Sequence, residues 1–276
     1  MKLIFLDADG TLFHHSGYIP DSAFKACQQA QANGHKICLC TGRQKAELFG
    51  DLLKIQYDGI IAGSGASILV NGRSIQEFSF TKEEFEKVHS FIEAHHIHAM
   101  YECRDGLFGT RKTQQKLEEL LKEQCGHLNK EDYQKHGLFH VYDMFHVTDD
   151  LQKLPINKIS FLESNLKYQE VYEKLHQDFD LVPATFAPFG KESGEIASYH
   201  ISKATGMEVL IQYYQAKIED TIAIGDGFND LCMFEKAALS IAMGNAHDKV
   251  KEKADRVTAC LEDDGIYKAF KDLHLI

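Results

Sequence analysis

The sequence predicts an α/β fold whose core is a doubly wound parallel sheet, with an α+β domain inserted into it. Short apolar runs alternate with helical segments near both ends of the chain, as expected for strands buried between helices. The middle of the chain lacks this alternation and mixes strand and helix patterns. The chain has 276 residues, 44% of them hydrophobic, which is enough for one large core or two modest ones.

The first part of the chain alternates buried strands with helices. Residues 3–6 form an apolar run that ends in a turn. Pro20 and Asp21 open a helix, and Asn33-Gly34 ends it, since glycine is favoured just past a helix end. Further predictions are a strand over 36–40, a helix over 44–54 and a strand over 59–62. This order is typical of a parallel sheet.

The pattern changes after the third strand. Asn71-Gly72 separates residues 68–70 from 73–75, and Asn-Gly is the strongest short signal of a β-hairpin. Thr81 and Glu84 have the spacing of a capping box, which marks a helix start. Strands are predicted near 97–103, 138–147 and 157–162, and helices near 114–124 and 166–176. This mixed segment, residues 81–189, is predicted to be the inserted domain.

The alternating pattern resumes after Gly194. It predicts a helix over 205–214, a strand over 221–224, a helix start over 230–236 and a strand over 239–242. Because this pattern matches that of the first part, residues 1–80 and 190–276 are predicted to form one core domain.

Composition excludes several classes of protein. The net charge is −11 and the lysines over 249–253 are interleaved with acid, so nucleic acid is not an expected partner. No apolar stretch approaches the length of a membrane span, so no membrane partner is expected. Seven cysteines without a CxxC pair indicate a reduced, cytoplasmic chain. The sequence leaves open whether the chain is a monomer or a homodimer.

Polar residues follow the first two predicted strands. Asp7 and Asp9 come straight after the first strand, and two carboxylates at this spacing on extended backbone point the same way. Ligands of parallel α/β sheets bind outside the carboxyl ends of strands, so this pair suits a metal, a nucleophile and acid–base work. Thr41-Gly42-Arg43 follows the second strand and suits an anion. The alternatives are an ordinary turn and an ordinary Thr N-cap.

Two further motifs lie in the last third of the chain. Lys203 stands near a predicted helix start, where a single lysine is usually a surface residue. Gly225-Asp226-Gly227-Phe228-Asn229-Asp230 follows an apolar strand and offers oxygen ligands to a metal. Its alternative is a turn in which Asp230 caps the next helix. All four motifs occupy strand ends or a helix start of the same predicted core, which argues against chance.

These motifs, Asp-x-Asp-Gly-Thr, Thr-Gly-Arg, Lys203 and Gly-Asp-Gly-x-Asn-Asp, resemble the four motifs of the haloacid-dehalogenase-like hydrolases, most closely the Cof-type phosphatase branch. The resemblance covers residues 1–80 and 190–276 and implies a Rossmann-like core with a large inserted cap. Gly63-Ser64-Gly65-Ala66 departs from the usual Asn-Gly-Ala phrase of the branch. Three other phrases resemble sequences of that branch: Tyr57-Asp-Gly-Ile-Ile61, Ala242-Met-Gly-Asn-Ala246 and Glu262-Asp-Asp-Gly265.

The resemblance implies a phosphatase that acts on small phosphate esters through an aspartyl-phosphate. Asp7 would attack phosphorus, and Asp9 would protonate the leaving oxygen and then activate water. Mg²⁺ would be bound by the carboxylates of Asp7 and Asp226 and by the backbone carbonyl of Asp9.

The remaining motif residues would surround the phosphoryl group. The resemblance implies that Thr41, Gly42 and Asn229 bind phosphate oxygens. Lys203 would neutralise charge on the nucleophile and on the phosphoryl group, and Asp230 would orient Lys203 or a metal-bound water. These roles agree with the physics of phosphoryl transfer, which depends on positioning and electrostatics.

The sequence leaves the substrate open among sugar phosphates, flavin mononucleotide and pyridoxal phosphate. A phosphomutase or phosphotransferase on the same core is one alternative, and a non-catalytic binding protein is another, although complete motifs argue against the latter. Fifteen histidines include His14-His15 and His95-His96-x-His98. They are interpreted as surface or half-buried residues because no ligand set with zinc spacing is present.

Overall fold

The chain divides into two compact units. A computed structural model describes residues 1–14, 16–184 and 186–276. Unit 1 comprises Met1–Glu77 and Ile201–Ile276, and unit 2 comprises Phe78–His200. Within the described ranges, no helix combines the length and apolar character needed to cross a membrane.

Unit 1 is built on one sheet that is mainly parallel. In its described part the strand order is β14-β13-β12-β1-β2-β3-β4-β5. The strands from β14 to β3 run parallel, while β4 and β5 are antiparallel. The strands are β1 Leu3–Leu6, β2 Lys36–Cys40, β3 Gly59–Ala62, β4 Ser67–Val70, β5 Arg73–Glu77, β12 Thr221–Gly225, β13 Leu239–Ala242 and β14 Arg256–Val257.

Helices cover both faces of this sheet, so the predicted doubly wound core is confirmed. Helices α1 and α10 share one apolar cluster with Ile4 and Leu6 of β1. Leu210 of α7 lies on the other face, next to Cys38. All four residues of β1 are fully buried, as expected for a strand covered on both sides. The helices are α1 Asp21–Ala32, α7 Lys203–Tyr213, α8 Leu231–Lys236, α9 Asp248–Lys251 and α10 Gly265–Asp272.

The predicted hairpin is confirmed as β4 and β5. Asn71 and Gly72 connect the two strands with φ of +50° and +73°. These are the left-handed values that a two-residue hairpin turn needs.

The prediction of a helix after the second strand is wrong. The structure has two short 3₁₀ turns there, Lys45–Glu47 and Gly50–Leu53, and Leu48 between them is extended. The carboxylate of Glu47 accepts a hydrogen bond from the backbone N–H of Gln44 at 2.5 Å. Such local side-chain bonds compete with a continuing helix.

Unit 2 is an α+β unit with its own sheet. In its described part the strand order is β10-β11-β9-β6-β7-β8, and the only parallel pairing found there is that of β7 with β8. The strands are β6 Ala99–Cys103, β7 Gly106–Gly109, β8 Phe145–Val147, β9 Lys158–Phe161, β10 Phe179–Pro183 and β11 Gly194–Ser198. The helices are α2 Lys82–Ala94, α3 Arg111–Cys125, α4 Lys130–Lys135, α5 Gly137–Asp143 and α6 Tyr168–Leu175.

The strand predicted over 138–147 is wrong in its first half, which is helix α5, and right in its second half, which is β8. The ring Nδ1 of His136 accepts a hydrogen bond from the backbone N–H of Leu138 at 3.2 Å and caps α5. Leu138 is fully buried in an apolar cluster with Leu117 and Leu121 of α3. The aromatic and β-branched residues of this segment favour a strand, but burial against α3 outweighs that preference.

Candidate active site

The predicted site residues of unit 1 meet at one edge of its sheet. Strands β12, β1 and β2 are parallel neighbours. Asp7 follows β1, Thr41 follows β2 and Asp226 follows β12. Because the carboxyl ends of parallel strands lie at the same edge, these residues converge there.

Lys203 is the first residue of α7 and is fully buried. Its Nζ lies 2.5 Å from Oδ1 of Asp7 and 2.5 Å from Oδ1 of Asp230. Burial on its own lowers the pKa of Lys203, but the carboxylates of Asp230 and Asp7 outweigh burial and hold that pKa well above its usual range. The lysine is therefore a fixed buried cation between two carboxylates, and its surface interpretation is wrong.

Asp230 holds the loop after β12 and does not cap the helix that follows it. Its Oδ2 accepts hydrogen bonds from the backbone N–H groups of Asp226 and Gly227, each at 2.9 Å. Its Oδ1 binds Lys203. Both oxygens are thus engaged, and Asp230 fixes the positions of Asp226 and Lys203 together.

Asp226 is held by the loop that follows β1. Thr11 Oγ1 donates to Asp226 Oδ1 at 2.8 Å. Gly10 has φ +84°, and a Cβ at this position would lie 2.3 Å from Asp226 Oδ2, so only glycine fits there. Burial raises the pKa of Asp226 to about 6, although the hydrogen bond from Thr11 on its own lowers that pKa.

The same edge carries more negative than positive charge. Burial raises the pKa of Asp7 well above its usual range, and the carboxylates of Asp230 and Asp226 add to this, while Lys203 opposes it. Oxygens of Asp7, Asp226 and Asp230 lie within 4.8 Å of one another. Oxygen ligands at this spacing fit a hard divalent cation. Among the described residues, Asp230 accepts three hydrogen bonds, Asp226 two and Asp7 one, so Asp7 and Asp226 keep more lone pairs for a cation than Asp230 does.

Arg43 has a role that the sequence analysis did not assign. Its Nη2 and Nε donate to Oδ1 and Oδ2 of Asp9 at 2.7 and 2.8 Å. Its guanidinium carbon lies 5.2 Å and 5.0 Å from the ring centroids of Phe13 and Phe49. A two-bonded arginine–carboxylate pair is among the strongest hydrogen-bonded pairs and fixes orientation. The only sequence signal was the place of Arg43 in Thr-Gly-Arg.

The predicted phosphate-binding residues also come together. A Cβ on Gly42 would lie 3.4 Å from Ser64 Oγ and 3.9 Å from Asn229 Nδ2. Thr41 is buried, and its Oγ1 accepts a hydrogen bond from the backbone N–H of Arg43 at 3.1 Å. Because no α-helix follows Arg43, the backbone N–H groups near Gly42 belong to a loop. Ser64, which the sequence analysis left without a role, joins this group.

The interpretation of the histidines as surface or half-buried residues is right for His95, His96 and His98 and wrong for His14, which is buried. His14 lines a cavity with Asp9 and Gly10, and its Nε2 is 2.9 Å from a carboxylate oxygen of Glu262. His15 lies outside the described residues.

A sequence model of the haloacid dehalogenase-like hydrolases matches residues 4–270. The chain belongs to this family. Two similar proteins of Bacillus subtilis (strain 168) are phosphatases by name. YcsE, a 5-amino-6-(5-phospho-D-ribitylamino)uracil phosphatase, is 27% identical over 274 residues, which cover 98% of this chain and 95% of YcsE. Phosphatase YwpJ is 26% identical over 292 residues, which cover 99% of this chain and 100% of YwpJ.

A solved structure supports the same assignment. BT1666 from Bacteroides thetaiotaomicron, described among the phosphatases of this superfamily, is 25% identical, with a TM-score of 0.80 over 100% of this chain and 96% of BT1666. With the family match and the relatives, this likeness identifies the chain as a phosphatase of small phosphorylated substrates.

Proposed function

We propose that this phosphatase is Mg²⁺-dependent and hydrolyses phosphate monoesters of small metabolites through a covalent intermediate on Asp7. The observation that carries the proposal is the buried contact of Asp7 with Lys203, beside Asp226. Oδ2 of Asp7 accepts no hydrogen bond from the described residues, so this oxygen is available to attack phosphorus.

The metal would be held by the carboxylates of Asp7 and Asp226 and by the backbone carbonyl of Asp9. When bound, it supplies positive charge that stabilises the phosphoryl group during transfer. Asp7, Asp226 and Asp230 repel one another, Lys203 offsets this repulsion only in part, and a bound cation would offset more of it.

The reaction would proceed in two displacements at phosphorus. In the first, an oxygen of Asp7 bonds to phosphorus as the bond to the leaving oxygen breaks, and Asp9 gives that oxygen a proton. In the second, Asp9 takes a proton from water, the water oxygen bonds to phosphorus, and Asp7 is released with inorganic phosphate. Arg43 donates one hydrogen bond to each oxygen of Asp9 and so fixes the orientation of this carboxylate, while each oxygen keeps a second lone pair that can carry the proton.

The phosphate oxygens would be bound by the loop group described above. The hydroxyl of Thr41 and the amide of Asn229, which lies near Gly42, would donate to these oxygens, whereas the backbone N–H of Thr41 already donates to the carbonyl oxygen of Ile61 at 2.8 Å. Lys203 would neutralise negative charge on the phosphoryl group, and its contact with Asp230 would keep its Nζ in place.

The substrate class proposed is that of sugar phosphates, flavin mononucleotide or pyridoxal phosphate, with the inserted domain choosing among them. The name of YcsE adds a phosphoribityl compound to this set. Its ribityl phosphate is a polyhydroxylated phosphate monoester, the same chemical class as a sugar phosphate.

The test is phosphate release from a panel of these compounds, in Mg²⁺ or in EDTA, for wild type and Asp7→Asn. Asp220→Asn is the control, since Asp220 forms an exposed ion pair with Lys2. We expect Mg²⁺-dependent release by wild type and the control and none by Asp7→Asn. A borohydride quench during turnover should reduce an acyl phosphate on Asp7, which mass spectrometry would detect.

Release that persists in Asp7→Asn would contradict the nucleophile assignment. If the folded wild type binds Mg²⁺ but releases phosphate from none of the compounds, the proposed hydrolysis would be contradicted. Transfer to an added sugar hydroxyl would then identify a phosphotransferase.

A further inference from the structure

Asn245 connects three loops at the edge of the sheet where the site lies. It belongs to the loop after β13, within the phrase Ala242-Met-Gly-Asn-Ala246 that had no assigned role. Its Nδ2 donates to the carbonyl oxygen of Gly10 at 2.8 Å, across 235 residues of chain. Its Oδ1 accepts a hydrogen bond from the backbone N–H of Leu261 at 3.0 Å.

The same amide reaches the carboxylate of Asp226. Asn245 Nδ2 lies 3.4 Å from Asp226 Oδ2, while Thr11 Oγ1 donates to Oδ1 at 2.8 Å. Each oxygen of Asp226 therefore has one donor, and Gly10 closes the space beside Oδ2. The rotation of this carboxylate is restricted from both sides.

Asn245 is poorly placed to serve only the stability of the fold. The side chain is exposed and lines a cavity of about 250 Å³ together with His14 and Cys260. It buries little apolar surface, and its bonds are to loops, one of which carries Asp226. Groups that hydrogen-bond to metal ligands orient them, and their loss weakens metal binding.

We propose that Asn245 is a positioning residue for the metal site: it orients the Asp226 carboxylate directly and, through the Gly10 carbonyl, fixes the loop that carries Asp9. This inference rests on the proposed function, because it assumes that Asp226 is a metal ligand. It concerns metal affinity and is therefore measurable without substrate.

The test is calorimetric titration of the full chain with Mg²⁺, comparing wild type, Asn245→Ala and Asn245→Ser. Asn33→Ala is the matched control. Asn33 Nδ2 likewise donates to a backbone carbonyl, that of Leu275, at 2.9 Å and across 242 residues. It lies at the end of α1 before β2, at the opposite edge of the sheet from Asp7.

We expect the Mg²⁺ dissociation constant to rise about 10–100-fold in Asn245→Ala, the range found when partners of metal ligands are removed. Asn245→Ser should show a comparable rise because its short side chain cannot span Gly10 and Leu261 together. Asn33→Ala should keep the wild-type constant, although it too loses a long-range hydrogen bond to a backbone carbonyl.

Wild-type Mg²⁺ affinity in both Asn245 variants would overturn the inference and leave the proposed function intact. An equal loss in Asn33→Ala would also overturn it, because the effect would then be general loosening of the unit. No Mg²⁺ binding by wild type would instead remove the proposed metal dependence, and the inference with it.

Discussion

At the scale of single residues, the site is a problem of buried charge. Asp7, Asp226 and Asp230 share one edge of the sheet with Lys203, the one fully buried cation that the described residues place there. Buried charges are tolerated only when they are paired, and here three carboxylates share one lysine. A bound cation would balance this excess of negative charge.

Replacing Asp226 with asparagine should therefore raise stability in EDTA while abolishing stabilisation by Mg²⁺. Burial raises the pKa of Asp226 from 3.8 to about 6 in the folded chain. The folded state thus disfavours the carboxylate from about pH 4 upwards, and the full cost is present above about pH 6. We expect Asp226→Asn to gain about 1–3 kcal/mol at pH 8, by the usual conversion of a pKa shift, and less than about 1 kcal/mol at pH 4.

Denaturant unfolding in EDTA at both pH values measures this difference. Addition of Mg²⁺ should then raise the stability of wild type alone. Equal free energies of unfolding at pH 8 would show that the buried carboxylate carries no such cost.

At the scale of elements, the conformation of the loop after β3 determines the position of the backbone that carries Lys203. Gly65, in the phrase that departs from the family pattern, has φ +111°, and a Cβ there would lie 1.9 Å from the carbonyl oxygen of Ser202. Ser202 caps α7 by accepting a hydrogen bond from Thr205 N–H at 3.2 Å. The loop after β3 therefore packs directly on the backbone that presents Lys203.

Gly65→Ala should displace this backbone and lower both stability and turnover. Gly72→Ala is the control, because Gly72 has φ +73° but no atom within 4 Å of its Cβ position. The control should lose only about 1–2 kcal/mol of stability, which is the cost of an alanine in left-handed backbone. Gly65→Ala should lose more and should also lose activity.

Unfolding curves and phosphate release separate the two effects. Equal losses in the two alanine variants, with turnover retained in both, would mean that the contact with Ser202 can relax.

At the scale of the whole molecule, each unit has its own buried ionic group. In unit 2, Lys158 Nζ lies 3.1 Å from Glu102 and 3.3 Å from Glu195, and Ser160 also donates to Glu102. These residues lie on β6, β9 and β11, neighbours in the unit 2 sheet. The proposed metal ligands, in contrast, all belong to unit 1.

Lys158→Met should therefore destabilise unit 2 without changing the Mg²⁺ affinity of unit 1. Removing one partner of a buried ion pair costs about 3–5 kcal/mol. Lys87→Met is the control, since Lys87 and Asp178 form an exposed pair in the same unit, and such pairs contribute about 0–1 kcal/mol. Hydrogen exchange resolved by unit, with Mg²⁺ calorimetry beside it, would detect both effects. A weaker Mg²⁺ affinity in Lys158→Met would contradict the separation of the two groups.

Much of unit 1 was predictable because its signals are local. The apolar runs of β1, β2 and β12 and the polar residues that follow them stand together in the sequence, and parallel strands place their carboxyl ends at one edge. Two segments were mispredicted for different reasons. After Arg43, a local bond from the Gln44 N–H to Glu47 competes with a continuing helix, whereas α5 depends on distant contacts. In α5, the burial of Leu138 against α3 decides between helix and strand.

By itself, the sequence determined the α/β core, the strand ends that carry the polar motifs and the family to which the chain belongs. Only the tertiary structure decided that Lys203 lies between Asp7 and Asp230, that Arg43 binds Asp9 and that Asn245 reaches Gly10 and Asp226. The physical reason is range. Strand and turn preferences come from neighbouring residues, whereas these pairings join residues from 19 to 235 positions apart and exist only once the sheet brings its loops to one edge.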